Sequence, residues 1–495
     1  MSQLVECGLK HLTHQHQPQL KWLSIMSGST NEIRKRRKHL STALLFIFGC
    51  YMALQLMYLL TSLRDPRWHH NGFSEHTFIP KKERKISVLI PAYNEELVLE
   101  KCLHGWKNIL YHNKEAIIIS DGSTDNTVQI LNDLLDLTLE APSTESPAVF
   151  YGLKCCYRSR LYPEILVVDQ VNAGKAAALN RGIALASGEI IVTLDADSIL
   201  EQDSLLKVNQ AFENRKVLAL GGMVHVGQVI HAKGTSEYPT NNLLRYQLSG
   251  YLSSFYIRKR LQSSWNVIGV VSGAFGAFRK TVLQEIGGFV DTIGEDMEIT
   301  FRLQHYIHNR NQNERLAFLP TAVCYTEVPE QFSSLFHQRI RWQKGFLDCL
   351  NRYKLCFFHK LSFRFSLFLL SESLLFSLVG VSAFLLLPYK LLTDTLTPGL
   401  IALLLLVALS EILIRVAGYI QALKLGFTFS KRSWVQIIFF TLVETVTYRL
   451  LDTFFFLIGT VLYFTGNRHK WNKLERSGSV VVKNDLQMHS LFPRK

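Results

Sequence analysis

Asp195 and Asp197 stand one residue apart at the end of the apolar run Ile191-Val192-Thr193-Leu194, with Ser198 next. Two hard oxygen donors at that spacing suit a Mg2+ or Mn2+ ion shared with a diphosphate. The same tripeptide can simply open an Asx turn, so its meaning depends on what accompanies it. Gly294-Glu295-Asp296-Met297-Glu298 gathers carboxylates where a helix should begin, a position that favours negative charge in any case. Val267-Ile-Gly-Val-Val-Ser272-Gly273-Ala-Phe-Gly276 puts small residues where backbone can approach a ligand closely. Gln338, Arg341 and Trp342 are spaced i, i+3, i+4 and share one face of a predicted helix.

The elements that must carry these residues alternate between strand and helix. Ile86–Ile90 reads as a buried strand that breaks at Pro91-Ala-Tyr93-Asn-Glu95-Glu96 and passes into a helix. Ala116–Ile119 is a second strand, ended by Ser120-Asp121-Gly122-Ser123-Thr124-Asp125, whose side chains can cap a helix over Thr127–Leu137. Residues 138–163 read as an irregular insertion. Ile165–Asp169 is a third strand, and Asn172–Ala186, containing Lys175, is Ala-rich and helical. The Ile191–Leu194 run then reads as a parallel strand delivering its acids to the carboxyl edge of the sheet. Alternation along it would point Asp195 and Asp197 to one side. The pattern argues for a mostly parallel α/β sheet with right-handed crossovers.

At 495 residues, 48% hydrophobic content and a mean hydropathy of +0.11, the chain is too apolar for an ordinary soluble enzyme. Residues 1–39 form a polar tail closing in Arg34-Lys35-Arg36-Arg37-Lys38; 40–63 form one apolar span, and 64–83 a linker. A soluble block over 84–356 precedes a membrane region over 357–466, with spans near 366–387, 400–420 and 434–465, and a basic tail over 467–495. Glu444, Arg449 and Asp452 interrupt the last span, so that it either faces a polar interior or lies partly in the interface. Glu444 and Arg449 would line an exit path or pair with each other. The net charge of +14 fits nucleic acid, an anionic membrane surface or an anionic substrate. Much of the excess flanks apolar runs and no recognition-helix or zinc-finger pattern is present, which favours the bilayer and argues against nucleic acid. The eight cysteines are scattered without a C-x-x-C, as suits reduced thiols.

Taken in order, PAYNEE, DGSTD, NAGKAAALNRG, DADS, SGAFGAFRK, GEDME and QRIRW resemble the membrane-integrated family 2 glycosyltransferases, the clan of cellulose, hyaluronan, chitin and poly-N-acetylglucosamine synthases. Within that clan the chain is similar to bacterial members of the poly-N-acetylglucosamine-synthase type. The resemblance implies an α/β cytosolic GT-A-type (Rossmann-like) domain inserted between transmembrane helices of a multi-pass protein in the cytoplasmic (plasma) membrane.

It also implies roles. Pro91, Tyr93, Glu95 and Asp121 would line the uridine pocket, and Lys175 would lie near the diphosphate. Asp195 would serve the donor and its Mg2+ or Mn2+ ion, with Asp197 more directly on the metal. Asp296 would be the base beside the acceptor hydroxyl, with Glu295 supporting it by raising its pKa. Gln338, Arg341 and Trp342 match the Gln-x-x-Arg-Trp pattern, where Arg clamps diphosphate oxygens and Trp stacks on an acceptor sugar. Ser272 and Gly273 would lie near the acceptor. The implied reaction is processive, inverting polymerisation of a UDP-sugar on a growing polysaccharide, extruded across the bilayer. The alternative is a non-processive enzyme making a glycolipid or short oligosaccharide. An accessory subunit or a homo-oligomer is compatible with either. A cytosolic catalytic block and a cytosolic basic tail require an even number of later crossings, which favours two full spans with 434–465 partly in plane. Three spans would put the tail outside.

Overall fold

The computed structural model describes residues 42, 46–64, 82–141, 151–229, 235–310, 313–392 and 397–466. The tails over 1–39 and 467–495 and most of the 64–83 linker lie outside these residues. The chain divides into two compact units, Met1–Leu54 and Gln55–Lys495, and apart from the start of the helix Phe46–Ser62 everything below concerns the second.

One sheet organises the α/β domain. Its parallel half is β1 (Ile86–Ala92), β2 (Lys114–Asp121), β5 (Ile165–Gln170) and β6 (Ile190–Leu194), runs of Ile, Val and Leu buried on both faces as parallel strands require. Crossover helices α2 (Leu99–Lys107), α3 (Thr127–Leu135) and α4 (Lys175–Leu185) connect them, α1 being the apolar helix Phe46–Ser62. The second half adds β7 (Ser198–Leu200), α5 (Ser204–Ala211), β8 (Val217–Val226), β9 (Phe275–Arg279) and β10 (Arg315–Thr326). Two further strands, β3 (Leu137–Leu139) and β4 (Leu153–Ser159), pair antiparallel at the edge next to β5. The ten strands run in the order β3-β4-β5-β2-β1-β6-β9-β8-β10-β7. Val88, Ile90, Ile118, Val167, Val192, Phe275 and Ala277 form the centre of the core, with Leu103 and Trp106 of α2 packed onto it.

Two expectations change here. Residues 138–163 are not irregular throughout: their described ends are β3 and β4, which cap the sheet edge. And β6 stops at Leu194, so Asp195 and Asp197 lie in the tight turn between β6 and β7, closed by Ser198 N–H donating to the Asp195 carbonyl at 2.9 Å. A turn, rather than strand alternation, aims the acids.

Between β8 and β9 runs one long helical segment: α6 (Asn242–Ser253), a π-helical turn (Ser254–Lys259) and α7 (Arg260–Trp265). After β9 come α8 (Lys280–Glu285), α9 (Glu295–Arg310) and α10 (Phe332–Tyr353). Helices α11 (Phe363–Leu392), α12 (Pro398–Lys424) and α13 (Lys431–Thr465) follow, and all three contain stretches long and apolar enough to cross a membrane. This is a membrane protein. Helix α13 is a single unbroken helix of 35 residues, the third of the helices long and apolar enough to cross a membrane. The helix continues through its charges, two of which are paired: Glu444 with Arg415, and Arg449 with Glu411 at 2.7 Å. Glu444 and Arg449 therefore each bond across to α12 rather than to each other.

Candidate active site

The first turns interlock before any chemistry is placed. Asn94, in the left-handed region at φ 56°, takes the Thr124 N–H at 2.7 Å and donates its own N–H to the Ser123 hydroxyl at 3.1 Å. Glu96 accepts from Asn126 N–H at 3.1 Å. The turns after β1 and β2 are thus stitched to each other. Asp121, 4% exposed, accepts from Gln170 Nε2 at 2.5 Å and from the Ala173 and Gly174 N–H groups at 2.9 Å each. Its carboxylate holds the loop that launches α4, and Lys175 is the first residue of that helix. Gly122, at φ 69°, permits the contact, since a Cβ there would lie 2.5 Å from Asn172 N.

Lys175 reaches across the site. Its ammonium lies 2.8 Å from Asp195 Oδ1 and 3.1 Å from Glu295 Oε1, so one cation ties the acids after β6 to those opening α9. Burial alone would lower its pKa, but Asp195, Glu295 and Asp296 together hold it well above the usual lysine value. Asp197, 6% exposed, accepts from Ser198 Oγ at 3.1 Å and Thr326 Oγ1 at 3.3 Å. Burial, then Asp197, Glu95 and Asp195, push the nearby Cys102 thiol up to about 12.

Asp296 accepts the Gly273 N–H on Oδ2 at 3.2 Å and the Met297 N–H on Oδ1 at 2.8 Å. Burial first, and then Glu295, raise its carboxyl above the ordinary 3.8, against the opposing pull of Lys175 and the two N–H groups. Gly273 is pinned in this corner: a Cβ on it would lie 3.1 Å from Lys175 Nζ.

Helix α10 docks on the start of α9 through two glycines, a Cβ on Gly345 falling 3.2 Å from Gly294 Cα. That approach turns Gln338, Arg341 and Trp342 into the same space. One cavity of about 570 Å³ is lined by Lys175, Asp195, Asp197, Ser272, Gly273, Glu295, Asp296, Gln338, Arg341 and Trp342. It continues past Arg258, Lys259 and Arg339 to Glu411, Arg415, Arg449 and Asp452 on the membrane helices. Pro91, Tyr93, Glu95 and Asp121 are not brought into this wall; they lie at the ends of β1 and β2. Arg339, whose guanidinium sits 4.3 Å over the Trp342 ring, was not singled out from sequence because it falls off the i, i+3, i+4 face. Lys259 was missed because it closes a π turn, which helical spacing does not place.

Among the described residues no three His, Cys, Asp or Glu side chains form a metal cluster. Asp195 and Asp197 nevertheless fit Mg2+ or Mn2+, which binds through one or two carboxylates and completes its shell with substrate phosphates and water.

A mixed sheet with acids in the turn after its central parallel strand, and a cavity running on to membrane helices, defines a GT-A-type glycosyltransferase domain followed by membrane helices. The chain belongs to the Glycosyl transferase family group 2, whose profile matches residues 190–464. Residues 87–287 match the Glycosyl transferase family 2 profile. Poly-beta-1,6-N-acetyl-D-glucosamine synthase of Staphylococcus epidermidis is 30% identical over 270 residues, covering 54% of this chain and 56% of that protein. The synthase of the same name from Staphylococcus aureus strain COL is 30% identical over 269 residues, covering 54% and 56%. The match thus spans about half the length of these relatives. Among solved structures, a mannosyltransferase from Pyrobaculum calidifontis, in complex with GDP-Man and Mn2+, is similar at 18% identity and a TM-score of 0.49, over 85% of this chain and 98% of that one.

Proposed function

We propose that this glycosyltransferase is a processive, inverting polysaccharide synthase of the cytoplasmic membrane that takes its sugar from a UDP-sugar and extrudes the product. The observation that carries the reading is the single cavity joining Asp195, Asp197 and Asp296 to polar side chains on the membrane helices. A site making only a soluble product would have no use for that continuation. The similarity to poly-N-acetylglucosamine synthases supports a polysaccharide product.

In this reading Pro91, Tyr93 and Glu95 receive the nucleoside, and Asp121 acts by fixing the loop that carries Lys175. Asp195 and Asp197 would hold Mg2+ or Mn2+, which supplies positive charge to the departing diphosphate. Lys175 and Arg341 offer further cationic groups to the same oxygens. The acceptor hydroxyl attacks the anomeric carbon as the bond to diphosphate breaks, and Asp296 takes the hydroxyl proton. Its raised pKa suits that task, and Glu295 maintains it. Gln338 and Trp342 position the acceptor ring. With the donor cytosolic, the catalytic domain faces the cytosol.

The test is product size. Membranes containing the protein are given a panel of radiolabelled UDP-sugars, and the product is sized on a gel. Long polymer from one donor supports the proposal. Exclusively short, lipid-linked product would replace it with the non-processive reading.

A further inference from the structure

The segment Asn266–Gly273 runs without helix or strand between α7 and β9, and it is gripped from one side by a stripe of α9. Gln304 Nε2 donates to the Ile268 carbonyl at 3.1 Å, Thr300 Oγ1 accepts the Val271 N–H at 2.9 Å, and Asp296 Oδ2 accepts the Gly273 N–H at 3.2 Å. Asp296, Thr300 and Gln304 are spaced i, i+4, i+8, so one face of the helix holds the strap at successive points. Thr300 also donates back to the Asp296 carbonyl at 2.6 Å, which locks the first turn of α9 to the same contact.

Val270 points its carbonyl the other way, and Lys259 meets it. The Lys259 ammonium donates to Val270 O, and the side chain is 9% exposed. It is the last residue of the π turn Ser254–Lys259. An extra residue in a helical turn rotates everything beyond it by roughly 100°, and π turns often mark functional positions.

We propose that Lys259 is a positioning residue for transfer: it clamps the Asn266–Gly273 strap against α9 so that the Gly273 N–H is held on the Asp296 carboxylate. This rests on the reading of Asp296 as the base. The charges facing Lys259 are Glu372 of α11 and Asp296 of α9, with Arg258 beside it on its own turn. Burial pulls its pKa down to about 8, while the Glu372 and then the Asp296 carboxylate pull the other way.

Releasing the clamp removes two influences that favour ionised Asp296, the Gly273 N–H and the ammonium itself. The experiment compares wild type, Lys259→Met, Lys259→Arg and Asp296→Asn as purified full-length protein in lipid, with kcat, donor KM and the pH dependence of turnover measured for each. Lys259→Met is expected to lower kcat tenfold or more with donor KM within twofold, and to shift the acid limb of the profile upward by half a pH unit or more. Lys259→Arg, which keeps the charge and a donor, should recover much of the loss. A lower rate with an unmoved acid limb would mean a merely structural lysine and would overturn the clamp, as would wild-type behaviour of Lys259→Met. If Asp296→Asn stays active, the base assignment fails first. If it is inactive while Lys259→Met is normal, only the clamp fails.

Discussion

At the scale of the residue, the Lys175 ammonium bridges Asp195 and Glu295 at the mouth of α9, and the opposing influences of Glu295 and Lys175 on Asp296 set what that carboxyl can do. A general base in this position contributes about 10²- to 10⁴-fold to rate. Asp296→Asn should therefore lower turnover by at least that range while nucleotide affinity, read by calorimetry, stays near wild type. Lost nucleotide binding would place Asp296 in the donor site instead. The sign of the pH effect follows from the raised carboxyl: the base must be ionised to act, so the acid limb of the rate profile should lie above the ordinary carboxylate value of 3.8. Lys175→Met removes the cation that opposes this shift, and the limb should move higher still. A limb that stays put or falls would show that Lys175 does not act on Asp296.

Among the elements, β1, β2, β5 and β6 are legible in the sequence because buried parallel strands are continuous apolar runs bounded by turn residues. Edge strands β3 and β4 are not, being a three-residue strand and a mixed one, Leu153–Ser159, whose pairing depends on a partner distant in sequence. The candidate site follows the same division. Gln338, Arg341 and Trp342 reach the cavity because helical spacing puts them together, whereas Arg339 reaches it only because α10 is flanked by both α9 and α13, and Lys259 only through a π turn that leaves no trace in composition. Asp121 was legible as a turn acid, but its attachment to the Lys175 loop is a tertiary fact. The docking of α10 on α9 rests on Gly294 and Gly345. Gly345→Ala, with its Cβ 3.2 Å from Gly294 Cα and N, should push α10 away and cut kcat severalfold without unfolding the protein. Unchanged activity with an unchanged melting temperature would show that this approach is not needed.

The whole molecule joins its catalytic sheet to its membrane helices through one cavity lined in part by charged side chains, and those charges must survive among apolar neighbours. Two ion pairs of opposite sense link α12 to α13, Glu411 to Arg449 and Arg415 to Glu444, and Gln55 of α1 donates to Glu411 at 2.9 Å. Removing one partner of a buried pair leaves an uncompensated charge and costs about 3–5 kcal/mol, whereas replacing both with apolar residues is often neutral. Glu444→Leu should lower the melting temperature markedly, and the Arg415→Leu, Glu444→Leu double variant should recover most of it. Failure of that rescue would mean the pair serves more than register.

The most direct measurement is the length of the radiolabelled product made by membranes carrying wild-type protein or Asp296→Asn. A long polymer from the wild type, drawn from one UDP-sugar and absent with Asp296→Asn, is the predicted result. Product of only one or a few sugars attached to lipid, or polymer that persists without the Asp296 carboxylate, would contradict it.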